Sequence, residues 1–345
     1  MTGGAVVGRE VQPVAYPRGR VRPADFRVVE VPVREPGPGE VLVRNTWTSV
    51  DAALRLRLRE TSPPGYFPAF PLKQPLDGVM TVGEVVASRA DGFAPGDTVW
   101  HAAGWRDYAV VEAGRPALGG VGTLRRLDAG AAPAQAYLGA LGASGLTAYA
   151  GLVHVAGLRP GDVVWVSAAA GCVGSLVAQI AKIRGHRVVG SAGSDEKVRY
   201  LLDDLGLDAA FNYTAGPLPD LLRRAAPDGI DVYFDNVGGD HLQAAIGALR
   251  PGGRVAICGM ISQYEVEQPA PGPDNLMLAV TKSLTIRGFR ASGLTHLLPE
   301  MMSEVGGRLR CPETIVEGLA NAPAALAGLL RGDNIGKTLV RIDSA

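Results

Sequence analysis

The stretch from Val163 to Gly174 constrains the fold of this chain more than any other. It begins with the run Val-Val-Trp-Val, whose β-branched and aromatic residues predict a buried strand. Small residues with Gly171 and Gly174 follow, and residues 175–183 then carry apolar side chains at helical spacing. Glycine lets a backbone approach a phosphate, and a helix N-terminus offers it N–H groups and partial positive charge. The stretch therefore predicts the strand, turn and helix that open a dinucleotide-binding unit.

The turn is not a full GxGxxG motif, because Ala169 stands at the position of its first glycine. A tight turn without a ligand is the alternative reading of such a motif. A second strand over residues 187–191 follows at the distance that a βαβ unit needs, which favours the nucleotide. Strand and helix patterns then alternate as far as a strand at residues 284–289, which predicts a parallel, doubly wound sheet.

Composition narrows the class of protein. The chain has 345 residues, which suggests two domains, and a net charge of zero, which gives no sign of a nucleic-acid or membrane partner. No apolar run is long enough to span a bilayer, and no signal peptide is visible. Cys172, Cys258 and Cys311 are odd in number and far apart, which disfavours a disulfide framework and indicates a reducing, cytoplasmic setting. Because no CxxC or HxxxH pair occurs, we expect no metal, and a zinc assembled from distant residues is the less favoured alternative.

The chain divides by pattern into two domains. Residues 1–137 carry several short strand patterns between Pro- and Gly-rich turns, which predict a small β-barrel-like domain. Residues 138–295 are expected to form the nucleotide-binding domain. Residues 296–345, with a helix over 296–309 and a closing strand at 337–342, are expected to return to the first domain.

The tip of the second strand indicates which nicotinamide cofactor is bound. NAD-binding proteins hold the ribose 2′-hydroxyl with an acidic residue at this position. Here no carboxylate occurs before Asp195, while Lys197 lies close by and Tyr213 ends the next strand. The missing acid and the nearby cation favour a 2′-phosphate, hence NADP. A solvated lysine is the alternative reading of Lys197.

Polar side chains also follow two later strands, whose carboxyl ends should line the cofactor crevice. Asn236 can hydrogen-bond to a ribose or a carboxamide, and Tyr264 can donate a proton or hold the nicotinamide ribose. A packed loop aromatic is the alternative for Tyr264. Cys258 is expected to be a small core residue rather than a nucleophile, and Ser167 has no local support as a nucleophile.

Taken together, these motifs resemble the zinc-independent medium-chain dehydrogenase/reductases. Within them the chain is similar to the prostaglandin and leukotriene reductase type, which are NADPH-dependent alkenal/one double-bond reductases. The similarity rests on runs that cover most of the chain: LGALGASGLTAYAGL at 138–152, AAAGCVGS at 168–175, GSAGSDEKV at 190–198, FNY at 211–213, FDNVGG at 234–239, ICGMIS at 257–262 and NIGKTLV at 334–340.

The resemblance implies a GroES-like β-rich catalytic domain, a Rossmann domain with a doubly wound parallel sheet inserted into it, and commonly a homodimer. It also implies contacts to NADP along the chain. The implied residues are Gly171, Cys172, Val173 and Gly174 for the pyrophosphate, Lys197 and Tyr213 for the 2′-phosphate, and Asn236, Cys258, Gly259, Ile261, Ser262, Tyr264, Phe289 and Asn334 for the rest of NADP.

The first domain departs from the family pattern. The family often reads Val-Asp-Pro-Tyr-Met-Arg near its substrate site, whereas residues 50–55 read Val-Asp-Ala-Ala-Leu-Arg and place Ala53 at the tyrosine position. The usual Met-Pro-Gly before Leu-Thr-Ala-Tyr is Ala-Ser-Gly at residues 143–145. These departures imply a larger substrate pocket and a different arrangement of proton donors.

The predicted function is hydride transfer from NADPH to the β-carbon of an enone or enal, a small-molecule substrate. Tyr264 is the candidate catalytic residue, because a hydrogen-bond donor at the carbonyl oxygen stabilises the developing enolate. A quinone or carbonyl reductase of the same superfamily is the nearest alternative. An NADPH-binding sensor or structural protein without turnover is an alternative of another class.

Overall fold

The computed structural model describes residues 6–116, 122–128, 130–268 and 271–342. In chain order its strands are β1 (Val7–Pro13), β2 (Phe26–Pro32), β3 (Glu40–Val50), β4 (Asp77–Ser88), β5 (Thr98–Ala103), β6 (Tyr108–Glu112), β7 (Arg125–Arg126), β8 (Val163–Val166), β9 (Arg187–Ala192), β10 (Ala209–Asn212), β11 (Ile230–Asp235), β12 (Leu249–Ile257), β13 (Thr285–Gly288), β14 (Glu313–Glu317) and β15 (Lys337–Arg341). The α-helices are α1 (Ala143–Tyr149), α2 (Cys172–Ile183), α3 (Asp195–Arg199), α4 (Leu218–Ala225), α5 (Gly239–Ala248), α6 (Met277–Thr281), α7 (Leu298–Met301) and α8 (Ala322–Arg331). Within the described ranges, no helix is long and apolar enough to cross a membrane.

Two compact units make up the chain. Residues 1–138, 313–334 and 338–345 form the first, and residues 139–312 and 335–337 form the second. In the first unit, β1 and β2 form an antiparallel hairpin. A seven-stranded sheet has the order β14-β15-β3-β4-β5-β7, with β6 paired to β3. The predicted β-rich domain is confirmed, although β1, β14 and α8 were not anticipated from the sequence.

The second unit is built on a six-stranded sheet of order β10-β9-β8-β11-β12-β13. Every neighbouring pair of its strands is parallel. The strand order runs outward in sequence from β8 on one side and from β11 on the other, so the order reverses between them. Ligands of such sheets bind at the carboxyl ends of the strands beside this reversal. The predicted doubly wound sheet is confirmed.

The core of the second unit corrects one expected boundary. Leu297, Met301, Val305 and Leu309 belong to the same buried cluster as the apolar side chains of α2 and β8. Because these four side chains recur every four residues, one face of the segment is apolar and is buried in this core. The return to the first unit therefore begins at residue 313 and not at 296. The helix expected over 296–309 is divided into α7 and a π-helical turn at residues 302–306.

Candidate active site

The turn after β8 prepares a helix N-terminus for an anion. Ala168 has a positive φ of 46°, and its carbonyl accepts the N–H of Gly171 at 3.0 Å. Helix α2 then begins at Cys172, three residues earlier than its apolar spacing predicted. Among the described residues, no side chain caps the helix at Gly171. The amides of its first turn and the positive end of its dipole are therefore suited to a phosphate.

The two glycines of the turn serve different purposes. A Cβ on Gly174 would lie 2.3 Å from the carbonyl oxygen of Ala168 and 2.8 Å from the Cα of Ala169. A Cβ on Gly171 would meet nothing closer than that same carbonyl oxygen at 3.3 Å. Gly174 therefore allows α2 to pack tightly on the turn, and Gly171 keeps the surface of the turn open. The open surface fits the approach of a pyrophosphate.

The tip of β9 brings Tyr213 next to Gly193. The phenol oxygen of Tyr213 lies 3.0 Å from the position that a Cβ on Gly193 would take. Tyr213 is 40% exposed, so one side of its ring faces solvent. Lys197 lies in α3, the helix that follows this tip, and its N–H is accepted by the N-capping Ser194. Two of the residues predicted for a 2′-phosphate thus belong to the elements that border one strand tip.

The first carboxylate after β9 already has a partner. The side-chain amide of Asn212 donates to Asp195 at 2.8 Å, and its oxygen accepts the N–H of Thr214 at 3.0 Å. This arrangement ties Asp195 to the end of β10. The acid nearest to the ribose position of an NAD-binding protein is therefore engaged by the protein itself, which agrees with the cofactor choice predicted from the sequence.

The structure adds His241, a residue that lies in no local sequence motif and whose ring packs against Tyr213. The rings of Tyr213 and His241 pack edge to face with centroids 5.0 Å apart, and the ring of His241 also stacks on Trp165 with centroids 5.9 Å apart. The Nε2 atom of His241 is buried and has no hydrogen-bond partner within the described part of the chain. Burial lowers the pKa of His241 to about 4, so the ring is neutral near pH 7.

At the sheet reversal, Ser167 and Asn236 join the ends of β8 and β11. The Asn236 side chain donates to the carbonyl of Ser167 at 2.8 Å, and its backbone N–H donates to the Ser167 hydroxyl at 3.1 Å. These two bonds fix the orientation of Asn236 at the predicted crevice. Through these bonds Ser167 holds Asn236 in place, which agrees with the expectation that Ser167 is not a nucleophile.

Asp235 is a buried carboxylate that the sequence analysis missed. Its Oδ1 atom accepts the Tyr233 hydroxyl at 2.8 Å and the N–H groups of Val237 at 3.0 Å and Gly238 at 2.8 Å. Its Oδ2 atom is buried without a partner among the described residues, and burial raises the pKa of Asp235. The carboxylate therefore shapes the chain that follows β11. The sequence held one indication of this role, because Asp235 is a polar residue at the end of a buried strand.

The loop after β12 folds over the same strand end. The N–H of Ile261 donates to the carbonyl of Asn236 at 3.1 Å, and the Ser262 hydroxyl donates to that of Val237 at 2.6 Å. These bonds bring the loop that carries Tyr264 to the strand end that carries Asn236. Burial raises the pKa of Cys258, at the start of this loop, to about 12, which agrees with a core residue and not a nucleophile.

Tyr264 closes this loop back onto its own beginning. Its phenol oxygen accepts the N–H of Met260 at 3.4 Å and lies 3.0 Å from the position of a Cβ on Gly259. Gly259 therefore makes room for the phenol. The structure brings together Asn236, Gly259, Ile261, Ser262 and Tyr264 at the carboxyl end of the sheet.

Two more residues predicted to contact the cofactor are Phe289, which directly follows β13, and Asn334. Phe289 packs edge to face against Phe234 with centroids 6.2 Å apart, and it limits the space at Gly151. Asn334 belongs to the first unit. The NADP contacts predicted for Phe289 and Asn334 stay predictions.

The last segment of the second unit, residues 335–337, is hydrogen-bonded to the turn between β8 and the first residues of α2. We call this turn, residues 168–174, the nucleotide turn. The N–H of Gly336 donates to the carbonyl of Ala170 at 2.8 Å, and the N–H of Lys337 donates to that of Pro312 at 2.8 Å. Gly336 has a φ of 69°, and a Cβ there would lie 1.9 Å from the Pro312 oxygen. Only glycine fits this position, which explains in structural terms why the Asn-Ile-Gly-Lys run at residues 334–337 contains a glycine.

Within residues 6–116, 122–128, 130–268 and 271–342, no three His, Cys, Asp or Glu side chains come together in a way that could hold a metal ion.

Comparisons with known proteins agree with this geometry. Residues 9–117 match the family described as "N-terminal domain of oxidoreductase", and residues 172–306 match the family described as "Zinc-binding dehydrogenase". The chain is 38% identical over 336 residues to "2-alkenal reductase (NADP(+)-dependent)" of Nicotiana tabacum, with 95% of each chain covered. It is 40% identical over 332 residues to "Prostaglandin reductase 1" of Rattus norvegicus, covering 92% of this chain and 93% of the relative. The crystal structure of CurA in complex with NADPH from Vibrio vulnificus is similar with a TM-score of 0.90 at 31% identity, covering 98% of this chain and 100% of that one.

Proposed function

The chain belongs to the medium-chain dehydrogenase/reductase family, and we propose that it works there as an NADPH-dependent reductase of α,β-unsaturated carbonyl compounds. The cofactor is NADP(H), and the bond reduced is the C=C bond of an enal or enone. The relatives named for 2-alkenals and prostaglandins, together with the NADPH complex of CurA, support this assignment.

The observation that carries the proposal from this chain's own residues is the tip of β9. Asp195 is held by Asn212, while Tyr213 borders the tip beside Gly193 and the helix of Lys197 follows it. A phenol and an ammonium group suit a 2′-phosphate, whereas a bare ribose hydroxyl would call for a carboxylate. The residues therefore fit NADP better than NAD.

Each part of the nucleotide-binding unit has a proposed task in the reaction. When bound, the reduced cofactor supplies a hydride. The turn from Gly171 to Gly174 holds the pyrophosphate through its amides, and Asn236 orients the nicotinamide end. Both depend on hydrogen bonds within the protein, from Gly171 to the Ala168 carbonyl in the turn and from Asn236 to the Ser167 carbonyl.

We assign Tyr264 the role of hydrogen-bond donor to the carbonyl oxygen of the substrate. Negative charge develops on the carbonyl oxygen as the β-carbon accepts hydride, and a positioned phenol stabilises it by donating a hydrogen bond. The loop bonds to Asn236 and Val237 position that phenol in advance. Water then supplies the proton to the α-carbon.

Three further properties belong to the proposal. The scattered metal-ligand side chains of the described residues support zinc independence. The three cysteines, none in a disulfide, support a cytoplasmic location. A homodimer is supported by β13, which is an edge strand, and by the neighbouring Met277 and Val280, which are 70% and 72% exposed. Exposed apolar side chains beside an unpaired sheet edge favour association with a second copy.

The experiment that tests the function is NADPH oxidation with enals, enones, quinones and saturated ketones, with NADH run beside it. We expect turnover of enals and enones, a saturated carbonyl product and a strong preference for NADPH. Turnover of only quinones, or alcohols from ketones, would assign a quinone or carbonyl reductase. Binding of NADPH with no turnover across the panel would favour the sensor or structural protein, an idea that Ala53 supports.

A further inference from the structure

Cys172 and Cys311 meet beside the nucleotide turn although 139 positions separate them in the sequence. Their sulfur atoms are 3.4 Å apart, and the Cys311 thiol donates to the Cys172 sulfur. Both side chains are half-buried, and neither is in a disulfide. A disulfide bond is about 2.05 Å long, so the two sulfurs need to approach by only about 1.4 Å to form one.

The backbone on both sides of Cys311 is held in place. Gln179 of α2 donates to the carbonyl of Arg310 at 2.7 Å and accepts its N–H at 2.9 Å. On the other side, the carbonyl of Pro312 accepts the N–H of Lys337 at 2.8 Å. The position of Cys311 is therefore a defined feature of the fold, and the meeting of the two thiols does not depend on a loose loop.

Cys172 is the better nucleophile of the pair. It is the first residue of α2, a helix of 12 residues, and the positive end of a helix dipole favours a thiolate there. The hydrogen bond from Cys311 stabilises the same charge. Partial exposure lets a small oxidant reach the sulfur.

We propose that Cys172 and Cys311 form a redox modification site, at which a hydroperoxide converts the two thiols into a disulfide and so weakens cofactor binding at the adjoining turn. The second half of this proposal rests on the proposed function, because it takes the turn to be the place of the NADP pyrophosphate.

The chemistry balances with hydrogen peroxide as the oxidant. The Cys172 thiolate attacks one peroxide oxygen, the O–O bond breaks, and the second oxygen leaves and is protonated to water. The sulfur of Cys311 then attacks the sulfenic acid on Cys172; the S–S bond forms, the S–O bond breaks, and the hydroxide leaves as water with the Cys311 proton. Two thiols lose two electrons, and one peroxide becomes two waters.

The surroundings of Cys311 place the two steps in this order. The hydrogen bond to Cys172, then burial, and then the charge of Cys172 raise the pKa of Cys311, while Lys337 lowers it. When Cys172 becomes a neutral sulfenic acid, its negative charge no longer faces Cys311, while burial and Lys337 still act on the Cys311 thiol. Cys311 is therefore the thiol that holds its proton, and we assign it the second step.

The disulfide would act on the turn because of where Cys172 stands. Drawing the Cys172 sulfur toward Cys311 displaces the first residue of α2. The amides of this first helical turn are the ones suited to the pyrophosphate. If the disulfide weakens NADPH binding, bound NADPH must oppose disulfide formation by the same factor.

The test compares reduced and peroxide-treated wild-type protein. Peptide mass spectrometry should show a linked pair of peptides containing Cys172 and Cys311, two hydrogens lighter than the two thiol peptides, with Cys258 still alkylatable. The Kd for NADPH, followed by fluorescence quenching, should rise by roughly tenfold, within the usual range of coupling between two sites, and return after dithiothreitol. Excess NADPH added first should slow the formation of the link.

The matched control is Cys311→Ser, which keeps the nucleotide turn intact. In the reduced state it should bind NADPH like the wild type, and after peroxide Cys172 should be trapped by dimedone with no linked peptide. If both thiols persist in peroxide-treated wild type, the proposed modification site is wrong. If the disulfide forms but the Kd for NADPH is unchanged, or if Cys311→Ser loses as much affinity after peroxide, the proposed effect on cofactor binding is wrong. Failure of the reduced wild type to bind NADPH would contradict the proposed function, and the linked peptide would still decide the modification site.

Discussion

The carbonyl oxygen of Ala168 lies 2.3 Å from the position that a Cβ on Gly174 would occupy. No carbon and oxygen atom pack that closely, so Gly174→Ala must push α2 away from the turn. We expect it to lower the free energy of unfolding by about 1–3 kcal/mol, the usual cost of overpacking. Urea unfolding followed by circular dichroism measures the loss.

Gly171→Ala is the matched substitution, because its Cβ would be 3.3 Å from the same oxygen and Gly171 has an ordinary φ of −77°. We expect it to fold with nearly wild-type stability and to bind NADPH more weakly. Equal losses of stability in the two variants would contradict the separate tasks assigned to the two glycines.

Tyr264→Phe removes the phenol that accepts the N–H of Met260. We expect kcat for an enone to fall by roughly a hundredfold, which is typical for the loss of one donor to a developing oxyanion. The Kd for NADPH should change little, since the loop keeps its bonds to Asn236 and Val237. Steady-state kinetics and cofactor titration separate the two effects, and an unchanged kcat removes Tyr264 from the reaction.

Lys197→Ala should raise the KM for NADPH by roughly tenfold or more, because a charge-assisted hydrogen bond to the 2′-phosphate contributes about 1.5–3 kcal/mol. The KM for NADH should stay the same, since NADH lacks that phosphate. Arg199→Ala, which removes an exposed cation from the same short helix, is the control. A parallel change in both KM values would show that Lys197 acts on the fold and not on the phosphate.

His101 should make the protein sensitive to acid. Its Nδ1 atom accepts the N–H of Ala103 at 3.1 Å and Nε2 faces Asn45 at 2.9 Å, an arrangement that fits only the neutral ring. Burial, and secondly the charge of Arg106, lower the pKa of His101 to about 3. The unfolded state, with a pKa near 6.5, binds this proton first, so stability is present above pH 6.5 and is lost as the pH falls toward 3.

The expected contribution of His101 between pH 7 and pH 5 is about 2 kcal/mol. Urea unfolding at the two pH values should show that the free energy of unfolding falls by about 2 kcal/mol less in His101→Gln than in the wild type. His296→Gln, which changes an exposed histidine, should keep the wild-type difference. An unaltered pH dependence in His101→Gln would show that other groups carry the acid sensitivity.

Val280→Asp should dissociate the proposed dimer, because it places a charge among the exposed apolar side chains beside β13. Sedimentation velocity at micromolar concentration should show a monomer, with circular dichroism unchanged. Val28→Asp makes the same change at a 42% exposed valine of β2 and should leave the dimer intact. A monomeric wild type would contradict the proposed assembly directly.

The sequence predicted the doubly wound sheet well, because buried parallel strands and amphipathic helices each leave a strong local pattern. Ser194 stands just before the helical run and is a residue type that commonly caps helices, and in the structure it accepts the N–H of Lys197. Asp235 and His241 were missed for a common reason: each matters through contacts with residues on other elements, and neither carries a local motif. The return near residue 296 was misplaced because an amphipathic pattern does not tell which core will bury its apolar face.

The bond from Gly336 to Ala170 has a consequence for how the protein is made. On the ribosome, the strand, turn and helix at residues 163–183 emerge long before residues 335–337. The turn between β8 and α2 must therefore wait until residue 336 has been synthesised before this backbone partner is available. A nascent chain that ends before residue 335 can form most of the parallel sheet and still lack this bond, so we expect it to bind the cofactor more weakly than a chain that includes residues 335–337.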